Sequence, residues 1–317
     1  MTGRLLFCCE KWCDANPAMG LTNNYHNLFG SLEHSLNVPF DVLHIDEAAV
    51  QHGIHIDKIL VKAVEKLKPS AIIFSLLGRS NMNPSIDTYI QLKGRGEYLC
   101  FMWPDADREW ALGEINKIGQ LADLHVSWDN AGTLEGVDNH MSLWVPQDDK
   151  LYYDQKEKKI DVGFFGSLRY RERATYIQHL MNRGIQVYVR GGQREEKLPP
   201  TLYAEYIRSC KIGLNFPWSP FLNTDQCKGR VYEIIASNSM LLERKNEATA
   251  KILRPGIDYV EFTDPDNLID KINYYLNNEE ERVKIADSGY RTFHSKYSAT
   301  KFWEAVIGRM REQGIDL

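Results

Sequence analysis

Apolar residues alternate along this chain between two spacings. Compact apolar runs at Leu5–Cys9, Val42–Ile45, Ala71–Leu76, Tyr98–Trp103 and Leu124–Trp128 are bounded by polar or turn residues, the pattern of strands buried on both faces. Between them the apolar positions recur at helical spacing. In 55–69, Ile56, Leu60, Ala63, Val64 and Leu67 share one face and Pro69 ends the run. Strands alternating with helices predict an α/β fold with a parallel sheet. Ligands of such sheets bind beyond the carboxyl ends of the strands.

The alternation resumes after residue 159. A strand, a glycine turn and an amphipathic helix are predicted over 159–184, with Ile177, Leu180 and Met181 on the inner face and Gly184 as the stop. A strand at 185–192, a helix at 201–210, a strand at 211–216 and a loop at 218–224 follow. Next come a helix carrying Glu233 and strands at 240–244 and 256–262. The helix 264–278 opens with Asp264 as N-cap and Pro265 at its first position. The last helix, 300–313, shows Phe302, Val306, Ile307 and Met310 on one side. The stretch 142–159, SLWVPQDDKLYYDQKEKK, is polar and reads as an interdomain linker. The expected division is therefore 1–147, 158–300, and a terminal helix 301–317 packed back on the N-terminal domain.

Composition narrows the classes. With 317 residues, 43% hydrophobic and 26% charged, the chain suits two folded domains. No apolar run approaches the ~20 residues that span a bilayer, and MTGRLLFCCEKWCDANP is too briefly apolar for a secretory signal. A net charge of −5 disfavours a dominant nucleic-acid mode but leaves room for a local basic groove. The six cysteines do not form a disulfide framework. Cys8, Cys9 and Cys13 lack a second pair of zinc ligands and read as reduced thiols, which points to the cytoplasm.

Candidate chemistry sits after the strands. In the N-terminal half these residues are Asp14, the run Thr22 to His26, Asp105, Asp107, Asp129 and Asn130. Asp105-Ala-Asp107 has the form of a metal-binding pair, but two aspartates after a proline also make an ordinary turn. In the C-terminal half, the turn Gly166 to Arg169 leads into a helix with Arg171 and Arg173 in or beside its first turn. Cations there oppose the helix dipole, and an anionic ligand would resolve the conflict. The segment 225–238, DQCKGRVYEIIASN, places Asp225 in a loop and Glu233 near a helix start, with Lys228, Gly229 and Arg230 between. Carboxylates accept hydrogen bonds from sugar hydroxyls, whereas cations and N–H groups hold phosphate. The combination suits a nucleotide sugar; the alternative is a solvated loop before a buried helix.

Four pieces, GFFGSLRYRER, YAEYIRSCKIGLNF, GRVYEIIASNSMLL and GIDYVEFTDPDNLIDKINYYL, follow in order over 159–297. In that order they resemble the C-terminal domain of glycosyltransferase group 1 enzymes, most of all the CgeB-like (spore maturation protein) branch. The resemblance implies a GT-B fold of two facing Rossmann-like domains with a cleft between them. It implies metal-independent transfer of a hexosyl or pentosyl group from a UDP- or GDP-sugar, with no further cofactor. Glu233 matches the glutamate that meets the ribose. Asp225 matches the acid that meets the donor sugar, one methylene shorter than the usual Glu. Arg173 and Arg169 match basic residues near the diphosphate, and Gly166 matches the glycine that admits it. Lys228 and Arg230 lie beside the motif, Arg230 to serve the phosphates or to brace Glu233. The turn Ala236-Ser237-Asn238 replaces a glycine by Asn, which tolerates the left-handed conformation.

Inversion would require a base from the N-terminal half, with Asp105, Asp129, Asp14 and His26 as candidates in that order; retention would not. The acceptor stays open among a saccharide, a lipid-linked glycan, a protein and a modified nucleobase in DNA. For the last, 92–98 offers only Lys93 and Arg95. Trp12, Trp103 and Trp128 suit stacking on a ligand or the core. Two other readings are a non-catalytic nucleotide-sugar-binding relative, favoured by Asp225, and a sugar-nucleotide epimerase.

Overall fold

The computed structural model describes residues 3–317 apart from 77–80, 105, 107–108, 129–133, 135–136, 171, 192–197 and 220–222, and without the side chains of 51–52 and 109–110. The chain divides into two units, residues 1–146 with 299–317, and residues 147–298.

The first unit contains β1 (Leu5–Cys9), α1 (Ser31–Ser35), β2 (Phe40–His44), α2 (Ile45–His52), α3 (Ile56–Leu67), β3 (Ala71–Ser75), α4 (Ile86–Gly94), β4 (Leu99–Trp103), α5 (Glu109–Ile118), β5 (Leu124–Ser127) and β6 (His140–Ser142). Its sheet runs β2-β1-β3-β4-β5-β6, with every pairing parallel. The apolar runs become strands because both faces are covered: β1, β3 and β4 are buried at every residue. Helix α3 forms where the spacing places it, burying Ile56, Leu60 and Val64, and Lys68 ends it at φ 48°.

The second unit contains β7 (Ile160–Phe165), α6 (Arg173–Asn182), β8 (Tyr188–Arg190), α7 (Pro200–Arg208), β9 (Cys210–Asn215), β10 (Trp218–Ser219), β11 (Thr224–Asp225), α8 (Gly229–Ala236), β12 (Met240–Arg244), α9 (Glu247–Ala250), β13 (Val260–Phe262), α10 (Pro265–Asn277) and α11 (Glu279–Thr292). The main sheet is again all parallel, in the order β13-β12-β9-β7-β8. Its winding reverses between β7 and β9: β8 lies to one side of β7 and the later strands to the other. In open α/β sheets that reversal opens a crevice at the carboxyl edge, where ligands bind.

The chain then leaves the second unit. The last helix, α12 (Ala299–Glu312), buries Phe302, Trp303, Val306, Ile307 and Met310 in the same core as Leu5, Phe7 and Ile73 of the first unit. Trp303 packs edge-on to Phe7 and donates its indole N–H to Ser31 Oγ at 2.8 Å.

Several local expectations change. Met181 is 46% exposed, because the buried face of α6 is Tyr176, Ile177 and Leu180, and Met181 stands about 100° further round. The 218–224 loop is shaped by a two-stranded hairpin, β10-β11, which sets Asp225 opposite Trp218. The supposed linker is packed structure: Gln147, Asp148, Leu151 and Tyr152 are buried. Lys158 Nζ donates to Arg208 O at 2.8 Å and Ser237 O at 2.6 Å, closing the ends of α7 and α8.

Candidate functional site

Three separate stretches meet at the carboxyl edge of the sheet where the winding reverses between β7 and β9. Gly166 follows β7, Asn215 ends β9, and Arg230 lies in the first turn of α8. Arg230 turns back over the sheet edge. A Cβ built on Gly166 would lie 2.4 Å from Arg230 Nη2, so the glycine makes the close approach possible. Arg230 Nη1 donates to Asn215 Oδ1 at 3.2 Å, and the guanidinium carbon lies 5.3 Å from the centre of the Phe164 ring. Its Nε is buried without a hydrogen-bond partner. A cation in the first turn of a helix opposes the dipole, and Lys228 at the N-cap adds a second.

Glu233 stands three residues further along α8, 8% exposed. Its Oε2 accepts a hydrogen bond from Tyr203 Oη on α7 at 2.8 Å. Burial pushes the carboxyl above its ordinary range, with Arg230 and the Tyr203 hydroxyl pulling the other way. Tyr152, from the packed segment before β7, is buried close enough to Glu233 to feel its charge. Asp225 lies on β11, opposite Trp218. Its Oδ1 is buried without a hydrogen-bond partner, and the residue lines a 600 Å³ pocket with Thr224, Arg244, Asn246 and Thr263.

Behind Arg230 lies a buried polar layer. Asn215 and Glu243 are both fully buried, and Asn215 Nδ2 donates to Glu243 Oε1 at 2.7 Å. Asn246 donates to Gln226 O and Thr249 Oγ1, which ties the approach to α8 to the end of β12.

Residues 155–308 match the glycosyl transferase-like family. The whole chain has the α/β fold of the GT-B glycosyltransferases. HepE from Anabaena, in complex with UDP and glucose, aligns with a TM-score of 0.59 and 10% identity over 98% of this chain and 100% of its own. Sucrose-phosphate synthase from Thermosynechococcus elongatus gives 0.62 and 10% over 98% and 100%. A putative UDP-N-acetylglucosamine 2-epimerase from Listeria monocytogenes gives 0.58 and 14% over 99% and 98%. At such identities the likeness is one of fold. No curated protein matches the chain.

Within this GT-B fold the sequence-predicted residues separate. Gly166, Arg230 and Glu233 come together at the β7–β9 crevice, whereas Asp225 faces the pocket beside β12. Lys228 donates through Nζ to Gln226 Oε1. Arg169 is exposed on the turn after β7. Arg173, expected beside a diphosphate, is 7% exposed and donates to Ser167 O, Phe216 O and Trp218 O at 3.1, 3.2 and 3.3 Å. Burial, then the like charge of Arg230, brings it down to about 10. Its guanidinium clasps the loops after β7 and β9.

Asp105, Asp107, Asp129, Asn130 and Arg171 lie outside the described residues. Asp14 is exposed at φ 53°, and His26 is half-buried with its ring edge-on to Tyr25. Trp103 and Trp128 are core residues. Lys93 pairs with Asp123 at 2.5 Å and Arg95 with Glu65 at 3.0 Å, so both cations of 92–98 have carboxylate partners. All six cysteines are free and buried. Among the described residues no cluster of three metal-ligating side chains occurs, and no helix is long and apolar enough to cross a membrane.

Sequence reasoning missed Tyr203, Asn215 and Glu243. The signal for the last two was present: each is a polar residue in an otherwise apolar strand, and buried polar groups are kept where they hydrogen-bond to a purpose.

Proposed function

We propose that the chain is a glycosyltransferase of the CgeB-like branch that moves a hexosyl or pentosyl group from a nucleoside diphosphate sugar, UDP- or GDP-linked, to an acceptor hydroxyl without a metal. One observation carries this reading: the Arg230 guanidinium lies over Gly166 at the winding reversal, with the buried Glu233 carboxyl one turn further along α8. A phosphate on Arg230 would place a ribose within reach of Glu233, whose second oxygen then accepts from the ribose hydroxyls. The unpartnered Asp225 Oδ1 suits a donor-sugar hydroxyl.

In the chemical step, negative charge builds on the departing nucleoside diphosphate as the glycosidic bond breaks. Fixed positive groups at the leaving oxygens lower that barrier, and Arg230 with Lys228 at the start of α8 supplies them. Asp105, Asp129 or His26 would take the acceptor proton if the anomeric centre inverts. The acceptor is a saccharide or another hydroxyl-bearing molecule, and the paired state of Lys93 and Arg95 argues against nucleic acid. Six free cysteines support a cytoplasmic setting.

A thermal-shift screen against UDP-, GDP-, ADP- and TDP-sugars tests the reading. One nucleotide class is expected to raise Tm, and Glu233→Ala to weaken its binding by about 1.5–3 kcal/mol, the loss of a charge-assisted hydrogen bond. If no nucleotide raises Tm, the reading fails. The shortened acid at Asp225 favours one second reading, a nucleotide-sugar-binding protein without activity. It would show the same shift with neither donor hydrolysis nor transfer.

A further inference from the structure

Glu243 is a fully buried carboxyl in a parallel strand of the second unit's sheet. It stands in β12 between Leu242 and Arg244. Its Oε2 has no hydrogen-bond partner. An apolar side chain would fill the same strand position without that desolvation cost. The Glu243 carboxyl holds Asn215, with Oε1 accepting from Asn215 Nδ2 at 2.7 Å; Asn246 Nδ2 reaches the same oxygen at 3.5 Å, and Thr249 also hydrogen-bonds to the carboxyl. The contact with Asn215 decides which way the Asn215 amide faces, leaving Oδ1 turned toward Arg230 Nη1 at 3.2 Å. Arg230 in turn has its Nε unpartnered and its Nη2 against Gly166. Asn215 is thus one hydrogen-bond partner of the Arg230 guanidinium, beside the Tyr203 hydroxyl, and Glu243 is the group that orients it.

We propose that Glu243 is a positioning residue for the diphosphate, acting through Asn215 to hold the Arg230 guanidinium over Gly166. The proposal rests on the reading of Arg230 as the phosphate contact.

The charge state of Glu243 fits the task. Burial raises its carboxyl to about 8, partly offset by Thr249, Asn215 and Asn246, with Glu261 adding to the rise. The other titratable groups whose charges couple to it are Cys227, Tyr232 and Tyr259, all raised by burial. At neutral pH Glu243 is therefore a neutral acceptor. It orients Asn215 without cancelling the positive charge that Arg230 offers to a phosphate. Above about 8 it ionises, and its negative charge then opposes an anionic ligand nearby.

The test is calorimetric binding of UDP with uridine, and of GDP with guanosine, to wild type, Glu243→Gln and Glu243→Met. Wild-type affinity for the diphosphate is expected to fall as pH rises through 8, while the nucleoside is unaffected. Glu243→Gln keeps an acceptor for Asn215 and cannot ionise. It should bind the diphosphate as wild type does at pH 7 and stay flat above 8. Glu243→Met removes the acceptor and should lose about tenfold in diphosphate affinity with nucleoside affinity unchanged, the effect of one misplaced charge-assisted contact. Equal losses for diphosphate and nucleoside would mean that Glu243 only supports the fold, and the proposal would be wrong. A Gln variant with the wild-type decline above pH 8 overturns it too, whether or not the Met variant folds. Wild type that binds neither diphosphate would instead sink the functional reading, and the proposal with it.

Discussion

At Gly166 a side chain as small as a methyl group would meet the tip of Arg230, 2.4 Å from the built Cβ. The atom in the way belongs to a flexible side chain, so Gly166→Ala should shift the guanidinium and not the strand. The expected stability change is within about 1 kcal/mol, ordinary for a substitution that opens no cavity. Nucleoside diphosphate affinity should fall roughly tenfold, as when one charge-assisted hydrogen bond is lost. Denaturant unfolding and calorimetry read the two effects separately; unchanged affinity would remove Arg230 from the phosphate role. Glu233 and Arg230 were legible as chemistry because they are three residues apart on one helix. Tyr203 was not; Asn215 and Glu243 stand out in the sequence only as polar residues in apolar strands, since their meeting depends on which strands pair and in what register. Asn238 shows the opposite case: its left-handed turn, at φ 50°, follows from residue type alone.

Among the elements, the turn before β13 shows how one carboxylate places a strand. A strand reading of 256–262 holds only for Val260–Phe262. Upstream, Asp258 accepts from the Arg254 backbone N–H and guanidinium and from the Ser288 and Thr292 hydroxyls of α11. Burial alone would raise this carboxyl, but Arg254 and the other donors outweigh it and hold it at about 2. A carboxylate with a depressed folded value stabilises fully above its unfolded value of 3.8, and that share is lost as pH falls from 3.8 toward 2. Asp258→Asn should therefore cost about 1–2 kcal/mol at pH 7, a figure reduced for the solvent around the exposed Arg254. The gap to wild type should narrow in acid, as followed by urea unfolding at several pH values; a constant gap would contradict the assignment. Local sequence marked the caps of α10 well, because Asp264 and Pro265 act within one turn. The stretch 142–159, read as a linker, does hold the boundary between the units, but Lys158 within it also serves the ends of α7 and α8, which no local pattern shows.

For the molecule as a whole, the path of the chain matters most. The chain crosses from the first unit to the second and returns, so the core under β1 and β3 is completed by α12 from the far end of the sequence. Trp303 is fully buried there. Trp303→Ala should cost about 3–5 kcal/mol, the range for emptying a buried aromatic site. The loss should appear as faster hydrogen exchange in β1 and β3, with β7, β9 and β12 unchanged. Uniform loss across both units would show that they unfold together.

The spacing of apolar residues by itself determined the layered α/β architecture, most strand positions and the two series of elements, because period and burial are local properties of a segment. The order of the strands, the reversal between β7 and β9, and the set of side chains gathered at their ends belong to the tertiary structure. A parallel strand carries no local mark of its neighbour. The contacts among Gly166, Asn215, Arg230 and Glu243 join residues up to 64 positions apart, and only packing brings them together.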